Sequence, residues 1–199
     1  MKAVSRISGR GMPLPRRDID TDQIIPSRYL KRIERTGFGE GLFAEWRADP
    51  GFVLNDPRYA GAEILITGAN FGCGSSREHA AWALEDHGFR AIVAERFADI
   101  FRGNALKIGL LPVVLPADAV DALMTAVTAD PTLTIEIDVA SRSLRYGELT
   151  ATFPLDDHAA ERLLEGLDDI AITLRSTAEI AAYEDQRPAH LPTVAIPTR

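Results

Sequence analysis

Hydrophobic and polar positions follow two different periods along the chain, and each period predicts a different part of the fold. Short apolar runs, typical of buried strands, occupy 62–67, 90–94 and 110–115. Segments with apolar residues at near-helical spacing occupy 78–87, 97–108 and 117–129. Because strands and helices alternate in this way, the sequence predicts a parallel sheet with right-handed crossovers.

The pattern changes after the third of these helices. Residues 133–139 alternate strictly between apolar and polar, as a strand with one buried face does, and 143–146 and 149–153 are its predicted antiparallel neighbours. Further helices are predicted at 156–164, 168–174 and 177–186. The predicted fold class is therefore α/β: a mostly parallel sheet flanked by helices, with an added antiparallel strand region and C-terminal helices.

Prolines and glycines change the predicted structure of three segments. Pro112 lies in the third apolar run and predicts an edge strand or a bulge, because proline cannot donate to a sheet ladder. Residues 2–17 are predicted to form a strand and a turn around Pro13 and Pro15. Glycines break any long helix in 27–46, and an irregular segment of that length is typically functional or mobile.

Composition narrows the class of function. The chain has 199 residues, of which 46% are hydrophobic and 26% are charged, as in an ordinary globular protein. A net charge of −7 argues against general binding to nucleic acids or to anionic membranes. No apolar run has the length of a signal peptide or a membrane span, so we expect a cytoplasmic protein. The single cysteine, Cys73, excludes an internal disulfide and an iron–sulfur cluster held by this chain alone.

Candidate chemistry is concentrated in residues 71–77, Phe-Gly-Cys-Gly-Ser-Ser-Arg, which we call the glycine turn. Gly72 and Gly74 allow positive φ and close approach of another group. Ser75, Ser76 and Arg77 add two hydroxyls and a guanidinium directly before a predicted helix. Backbone N–H groups and the helix dipole favour an anion at such a position. The turn is therefore a candidate site for a small carboxylate or phosphate.

Simpler or different explanations of the same turn remain open. Ser75 and Glu78 have the spacing of a capping box, which needs no function. A dinucleotide fingerprint fails because Arg77 stands where the third glycine is required, although Glu95 is placed like a ribose-binding acid. Cys73 could be a thiolate nucleophile or a small buried side chain.

The acidic loop, residues 18–22, precedes the irregular segment and carries Asp18, Asp20 and Asp22. It begins like a calcium-binding loop but lacks the glycine and glutamate that such a loop needs at its sixth and twelfth positions, where Gln23 and Tyr29 stand. One possibility is a turn whose aspartates accept backbone N–H bonds. The other is that one aspartate orients an arginine or a metal-bound water in a shared site.

These residues resemble a known family. Residues 71–80 resemble the swivelling domain of the aconitase superfamily, and other blocks resemble one of its branches, the small subunits of 3-isopropylmalate dehydratases. Those blocks are 20–26, 29–31, 35–39, 97–104 and 166–174. The resemblance covers nearly the whole chain in order, and only the proline-containing tail carries no interpretable motif. It implies an aconitase-type swivelling β/β/α domain over 1–155, with 156–199 as a C-terminal helical extension and tail packed on the same domain.

The resemblance also implies an activity. Enzymes of this family are hydro-lyases of leucine biosynthesis that interconvert 2-isopropylmalate and 3-isopropylmalate through isopropylmaleate. A separate large subunit holds a 4Fe-4S cluster, whose open iron acts as a Lewis acid on the hydroxyl of this small dicarboxylate. We therefore expect this chain to bind no metal itself and to be active only with that partner, which agrees with its single cysteine.

By the same resemblance, Ser75 is the base that removes the carbon-bound proton, acting as an alkoxide. A serine is a useful base only where N–H donors and a nearby cation stabilise that alkoxide. The glycine turn and Arg77 supply these conditions, and Ser76 and Arg77 would bind a substrate carboxylate. The supporting residues are Gly72, Gly74, Asp20 and Asp22.

Specificity is expected from the irregular segment. An isopropyl group needs apolar contact, which we assign to Leu30 with help from Tyr29. Arg28, Lys31 and Arg32 stand nearby, so a homoaconitase or a citraconate-type hydratase remains an alternative. From another class of function, a non-catalytic module that binds an anion or a nucleotide also remains an alternative.

Overall fold

The computed structural model describes residues 1–31, 36–188 and 190–191, and this part of the chain forms one mixed sheet with helices packed on it. The strands are β1 (Arg6–Leu14), β2 (Ile64–Thr67), β3 (Ala91–Ala94), β4 (Leu111–Val114), β5 (Thr134–Asp138), β6 (Ser143–Tyr146) and β7 (Leu149–Thr152). The α-helices are α1 (Thr21–Ile24), α2 (His79–His87), α3 (Asp99–Ile108), α4 (Ala117–Ala129), α5 (Asp157–Glu165), α6 (Asp169–Leu174) and α7 (Thr177–Asp185).

The sheet has the strand order β4-β3-β2-β1-β5-β6-β7, and its two halves differ in direction. Strands β1 to β4 are parallel, whereas β5, β6 and β7 pair antiparallel. Every residue of β2 and β3 is buried, as their unbroken apolar runs predict. Ile135 and Ile137 of β5 are buried between less buried neighbours, as strict alternation predicts. The predicted α/β class, with its added antiparallel region, is confirmed.

Strand β1 joins the two halves of the sheet and runs further than the sequence predicts. Its residues 6–10 pair with β5 and its residues 11–14 pair with β2, so Pro13 lies inside the strand rather than in a turn. At Pro13 only one edge of β1 has a partner strand, so the missing N–H group can face the unpaired edge. Pro112 lies in β4, which is an edge strand as predicted.

The C-terminal helices differ in how many of their residues are buried. Asp156 caps α5 by accepting the N–H of Ala159 at 2.8 Å, as its acidic start predicts. Helix α5 packs on the sheet domain through buried Ala159, Ala160 and Leu163, whereas neither α6 nor α7 contains a buried residue. The boundary expected after residue 155 stays a prediction. The tail prolines Pro192 and Pro197 and the basic residue Arg32 lie outside the described residues.

Candidate active site

Two loops meet at the carboxyl ends of the parallel strands, where α/β sheets usually bind ligands. The acidic loop follows β1 and the glycine turn follows β2. The N–H of Gly72 donates to the carbonyl of Ile19 at 2.8 Å, and the N–H of Thr21 donates to the carbonyl of Cys73 at 2.9 Å. The fold therefore brings together the two segments that the sequence singles out separately.

Glycine is required at two positions of the turn. Gly72 has a φ of +77° and Gly74 has a φ of +92°, in the region that the sequence predicts these glycines to allow. A Cβ on Gly72 would lie 2.2 Å from Cγ of Phe101, and Phe101 is almost fully buried in α3. The backbone of the turn is thus pressed onto an aromatic ring at Gly72, which fixes its path ahead of the serines.

Ser75 and Ser76 are exposed at the tip of the turn. The Oγ1 of buried Thr21 donates to the carbonyl of Ser75 at 3.1 Å, and the N–H of Arg77 donates to the same carbonyl at 2.8 Å. Helix α2 begins at His79, after an N-cap at Glu78 that makes no side-chain bond. Ser75 is therefore not the cap of this helix, and its hydroxyl is available at the surface.

The backbone around the serines presents unused donors. Among the described residues, no acceptor receives the N–H of Gly74, Ser75 or Ser76. Successive free N–H groups in a glycine-containing turn form a concave site for an anion. This arrangement provides the N–H donors that a negatively charged oxygen at Ser75 requires.

The two functional aspartate candidates have different roles in the structure. Asp22 accepts hydrogen bonds from both terminal nitrogens of Arg77, with a separation of 3.2 Å between Nη2 and Oδ2. Asp20 caps α1: it accepts the N–H of Gln23 at 2.7 Å, while the Gln23 side chain accepts the N–H of Asp20 at 2.9 Å. Asp22 thus orients an arginine, and Asp20 shapes the backbone that carries Asp22.

Cys73 is a free thiol on the inner side of the turn. Burial raises the pKa of this thiol, and the carboxylate of Asp20 raises that pKa further. A nucleophilic cysteine needs the opposite shift. The environment therefore favours a packed, protonated Cys73 over the thiolate alternative.

His79 packs beside the turn rather than onto the serine hydroxyls. Its ring lies 5.2 Å from Phe38 and 4.7 Å from Trp82, measured between ring centroids. Its Nδ1 is buried and has no hydrogen-bond partner among the described residues. Burial lowers the pKa of His79, so the ring is held neutral near pH 7.

Tyr29 and Leu30, the proposed specificity residues, lie in a 3₁₀ turn, Ser27–Lys31. Both side chains are partly buried, and the Tyr29 ring packs so closely over Gly41 that a Cβ there would lie 2.8 Å from Cγ of the ring. In the described part of the chain, no hydrogen bond or ion pair joins either residue to Ser75, Ser76 or Arg77. Their contact with substrate stays a prediction.

The edge of the sheet that carries the site holds arginines as well as the carboxylates of the acidic loop. The Arg16 guanidinium stacks 4.1 Å from the ring centroid of Trp46, and Arg96 is exposed. The Nη2 of Arg17 lies 3.6 Å from Oε2 of Glu95, the acid that a bound nucleotide ribose would need. Glu95 therefore already has a partner within the chain, and preference for an anion rests on the N–H groups of the turn rather than on the net charge of this edge.

Within residues 1–31, 36–188 and 190–191, no group of three or more histidine, cysteine, aspartate or glutamate side chains is arranged to hold a metal ion. No helix in the same ranges is long and apolar enough to cross a membrane.

Sequence reasoning missed two residues that build the site. Thr21 supports the Ser75 carbonyl across 54 positions of sequence, and it carries no sequence signal because it looks like any residue of the acidic loop. Phe101, under Gly72, belongs to the apolar pattern of α3 and would be assigned to the core alone. The Asp20–Gln23 pair could have been found, since it has the spacing of a capping box.

Comparisons with known proteins agree over the whole chain. The profile of the aconitase C-terminal domain family matches residues 1–118, and the profile of the C-terminal domain of the 3-isopropylmalate dehydratase small subunit matches residues 169–195. The 3-isopropylmalate dehydratase small subunit of Parafrankia sp. (strain EAN1pec) is 62% identical over 195 residues, covering 98% of this chain and 100% of that protein. The corresponding protein of Rubrobacter xylanophilus is 52% identical, with coverages of 98% and 100%.

A solved structure shares the fold. The crystal structure of 3-isopropylmalate dehydratase from Methanocaldococcus jannaschii is 26% identical in sequence, with a TM-score of 0.64. The similarity covers 90% of this chain and 99% of that one.

Proposed function

The chain belongs to the family of 3-isopropylmalate dehydratase small subunits, and we propose that its glycine turn carries the base of that enzyme's reaction. The enzyme is a hydro-lyase of leucine biosynthesis that interconverts 2-isopropylmalate and 3-isopropylmalate and acts with a large subunit. We place the reaction in the cytoplasm.

One observation carries the proposal: exposed Ser75 lies in a turn where, among the described residues, the N–H groups of residues 74–76 have no acceptor, two positions before Arg77. The Ser75 alkoxide takes the proton from the substrate carbon, and the electron pair of that bond forms the double bond of isopropylmaleate as hydroxide leaves the adjacent carbon. In the rehydration that gives the other isomer, Ser75 returns the proton to the carbon that lost hydroxide, and hydroxide adds to the carbon that lost the proton. The surrounding donors lower the cost of a charged oxygen before substrate arrives.

Arg77 and Ser76 bind a substrate carboxylate. A guanidinium has five N–H donors in a planar fork. Asp22 uses one donor on each terminal nitrogen of Arg77 and so holds the plane of the fork, while the remaining donors stay available for an anion. The Arg77 side chain is 23% exposed, so a carboxylate can reach it without competing fully with bulk water.

The iron–sulfur cluster belongs to the large subunit in this proposal. This chain has a single cysteine, and the part that the structure describes contains no set of side chains arranged for a metal ion. The residues here therefore do not fit a cluster, and their role is limited to proton transfer and to holding the substrate.

The isopropyl group is recognised by Leu30 and Tyr29. The 3₁₀ turn that carries them follows directly from α1, which Asp20 caps beside the glycine turn. Both side chains are partly buried, so their free surfaces offer apolar contact of limited size. An apolar surface suits a short branched alkyl group better than a second carboxylate, because only the carboxylate would lose its hydration without a partner.

Two serine variants test the assignment of the base. Ser75→Ala should abolish hydration of isopropylmaleate by the assembled enzyme and leave assembly intact, because the exposed hydroxyl supports no buried contact. Ser76→Ala is the matched control and should raise KM more than it lowers kcat. Near-normal turnover by Ser75→Ala, or turnover by this chain without its partner, would contradict the proposal.

A separate comparison tests the specificity residues. Leu30→Ala should lower kcat/KM for isopropylmaleate about tenfold more than for the smaller citraconate, because only the isopropyl group loses apolar contact. Leu149→Ala is the control, since Leu149 is an exposed leucine on β7. Equal losses for the two substrates would remove Leu30 from the alkyl pocket.

A further inference from the structure

The C-terminal helices α6 and α7 carry an unusual concentration of exposed apolar side chains. Within the described residues, six large hydrophobic side chains are exposed, and four of these lie in α6 and α7. They are Ile170, Leu174, Ile180 and Tyr183, with exposed fractions of 70%, 63%, 39% and 67%. We call these four side chains the α6–α7 face. A cluster of this kind typically marks an interaction surface.

Helix α7 gains almost no stability from its own chain. None of its nine residues is buried, and its two large apolar side chains, Ile180 and Tyr183, remain 39% and 67% exposed, so it buries little apolar surface. Isolated helices shorter than about 12 residues are only marginally stable in water. A nine-residue helix with so little packed surface therefore gains stability from any surface outside this chain that covers these side chains.

The contacts that hold α6 to α5 do not replace such a surface. Asp169 accepts a hydrogen bond from Arg162 at 2.8 Å, and Arg175 donates to Glu161 at 2.7 Å and also to Glu165. At least one partner of each pair is well exposed, and exposed ion pairs contribute about 0–1 kcal/mol each. These pairs set the direction of α6 and leave the apolar residues facing outward.

Charge indicates the chemistry of the missing surface. The segment Thr177–Asp185 contains Glu179, Glu184 and Asp185 and no basic residue. A second copy of the same face would bring like charges together, which opposes self-association. The complementary surface is an apolar groove with lysine or arginine at its rim.

We infer that the α6–α7 face is a docking surface for the large subunit, which presents an apolar groove with a basic rim. This inference rests on the proposed function, which requires that partner. It is supported by the match of residues 169–195 to a domain profile of 3-isopropylmalate dehydratase small subunits. The apolar side chains insert into the groove, and the acidic residues of α7 pair with its rim.

Equilibrium binding to the purified cognate large subunit tests the inference. The double variant Ile180→Ser, Tyr183→Ser should raise the Kd at least about tenfold, because buried aromatic and aliphatic anchors dominate protein interfaces. Its far-UV circular dichroism and its thermal unfolding midpoint should stay close to those of the original chain, since neither side chain is buried. Leu149→Ser removes an apolar side chain of β7 whose exposure, 58%, lies between those of Ile180 and Tyr183, and it should leave the Kd unchanged.

The remaining outcomes separate this inference from the proposed function. If the double variant binds like Leu149→Ser, the inference is overturned. It is also overturned if sedimentation shows that the double variant breaks up a homodimer of this chain without weakening its affinity for the large subunit. If the assembled original pair binds but does not hydrate isopropylmaleate, the proposed function fails, while the binding result still decides the role of the α6–α7 face.

Discussion

Replacing Gly72 with alanine tests how the glycine turn is held against the core. Two costs follow from the structure. A φ of +77° places an L-residue in the left-handed region, which costs about 1–2 kcal/mol. The new Cβ would also lie 2.2 Å from Cγ and 2.5 Å from Cβ of Phe101, and relieving such overpacking costs about 1–3 kcal/mol. The expected loss of unfolding free energy is therefore about 2–5 kcal/mol.

Gly147→Ala provides the matched control for the backbone contribution. Gly147 has a φ of +54°, and a Cβ there would meet no heavy atom within 4 Å. Urea unfolding of the isolated chain, followed by circular dichroism and extrapolated linearly to water, gives both free energies. The difference between the two variants isolates the contact with Phe101 and should be about 1–3 kcal/mol.

A substitution at Phe101 itself tests the contact a second time. In a Phe101→Ala chain the contacts with Cγ and Cδ2 are gone but the contact with Cβ at 2.5 Å remains, so Gly72→Ala should cost less than in the original chain and still more than Gly147→Ala. Losses for Gly72→Ala and Gly147→Ala that agree within about 0.5 kcal/mol in the original chain would show that the ring does not press on the turn. In the assembled enzyme, Gly72→Ala should also lower kcat, because the displaced turn carries Ser75.

Three further variants address the charges around the turn. Arg77→Lys should lower kcat/KM at least about tenfold in steady-state assays, since an ammonium cannot hold Asp22 and a substrate carboxylate as a planar fork does. Asp22→Asn should cause a smaller loss that appears mainly as a raised KM, and Asp18→Asn serves as its control. His79→Phe should flatten the fall of unfolding free energy as the pH drops below about 6.5, measured by urea titration at several pH values. Burial lowers the pKa of folded His79 below its ordinary 6.5, so the unfolded state binds more protons than the folded state below that pH. The unfolding free energy of the original chain therefore falls by at most about 1.4 kcal/mol for each pH unit.

The local pattern of the sequence determined much of the fold. Unbroken apolar runs gave β2 and β3 because both faces of those strands are covered, and Pro112 indicated an edge strand because proline lacks a donor. Asp156 indicated the start of α5 for an equally local reason, the capping of free N–H groups. Gly72 and Gly74 indicated positive φ, which depends only on the absence of a Cβ.

Tertiary structure decided which of these residues meet. The pairing of Asp22 with Arg77 spans 55 positions, and either residue alone looks like a solvated charge. Pro13 looked like part of a turn because the sequence does not show that β1 is paired along only one edge at that point. Helix α7 has a helical pattern whether its apolar side chains face its own sheet or a partner. Propensity acts over a few neighbouring residues, whereas burial depends on which distant surfaces come into contact, and only the folded chain specifies those contacts.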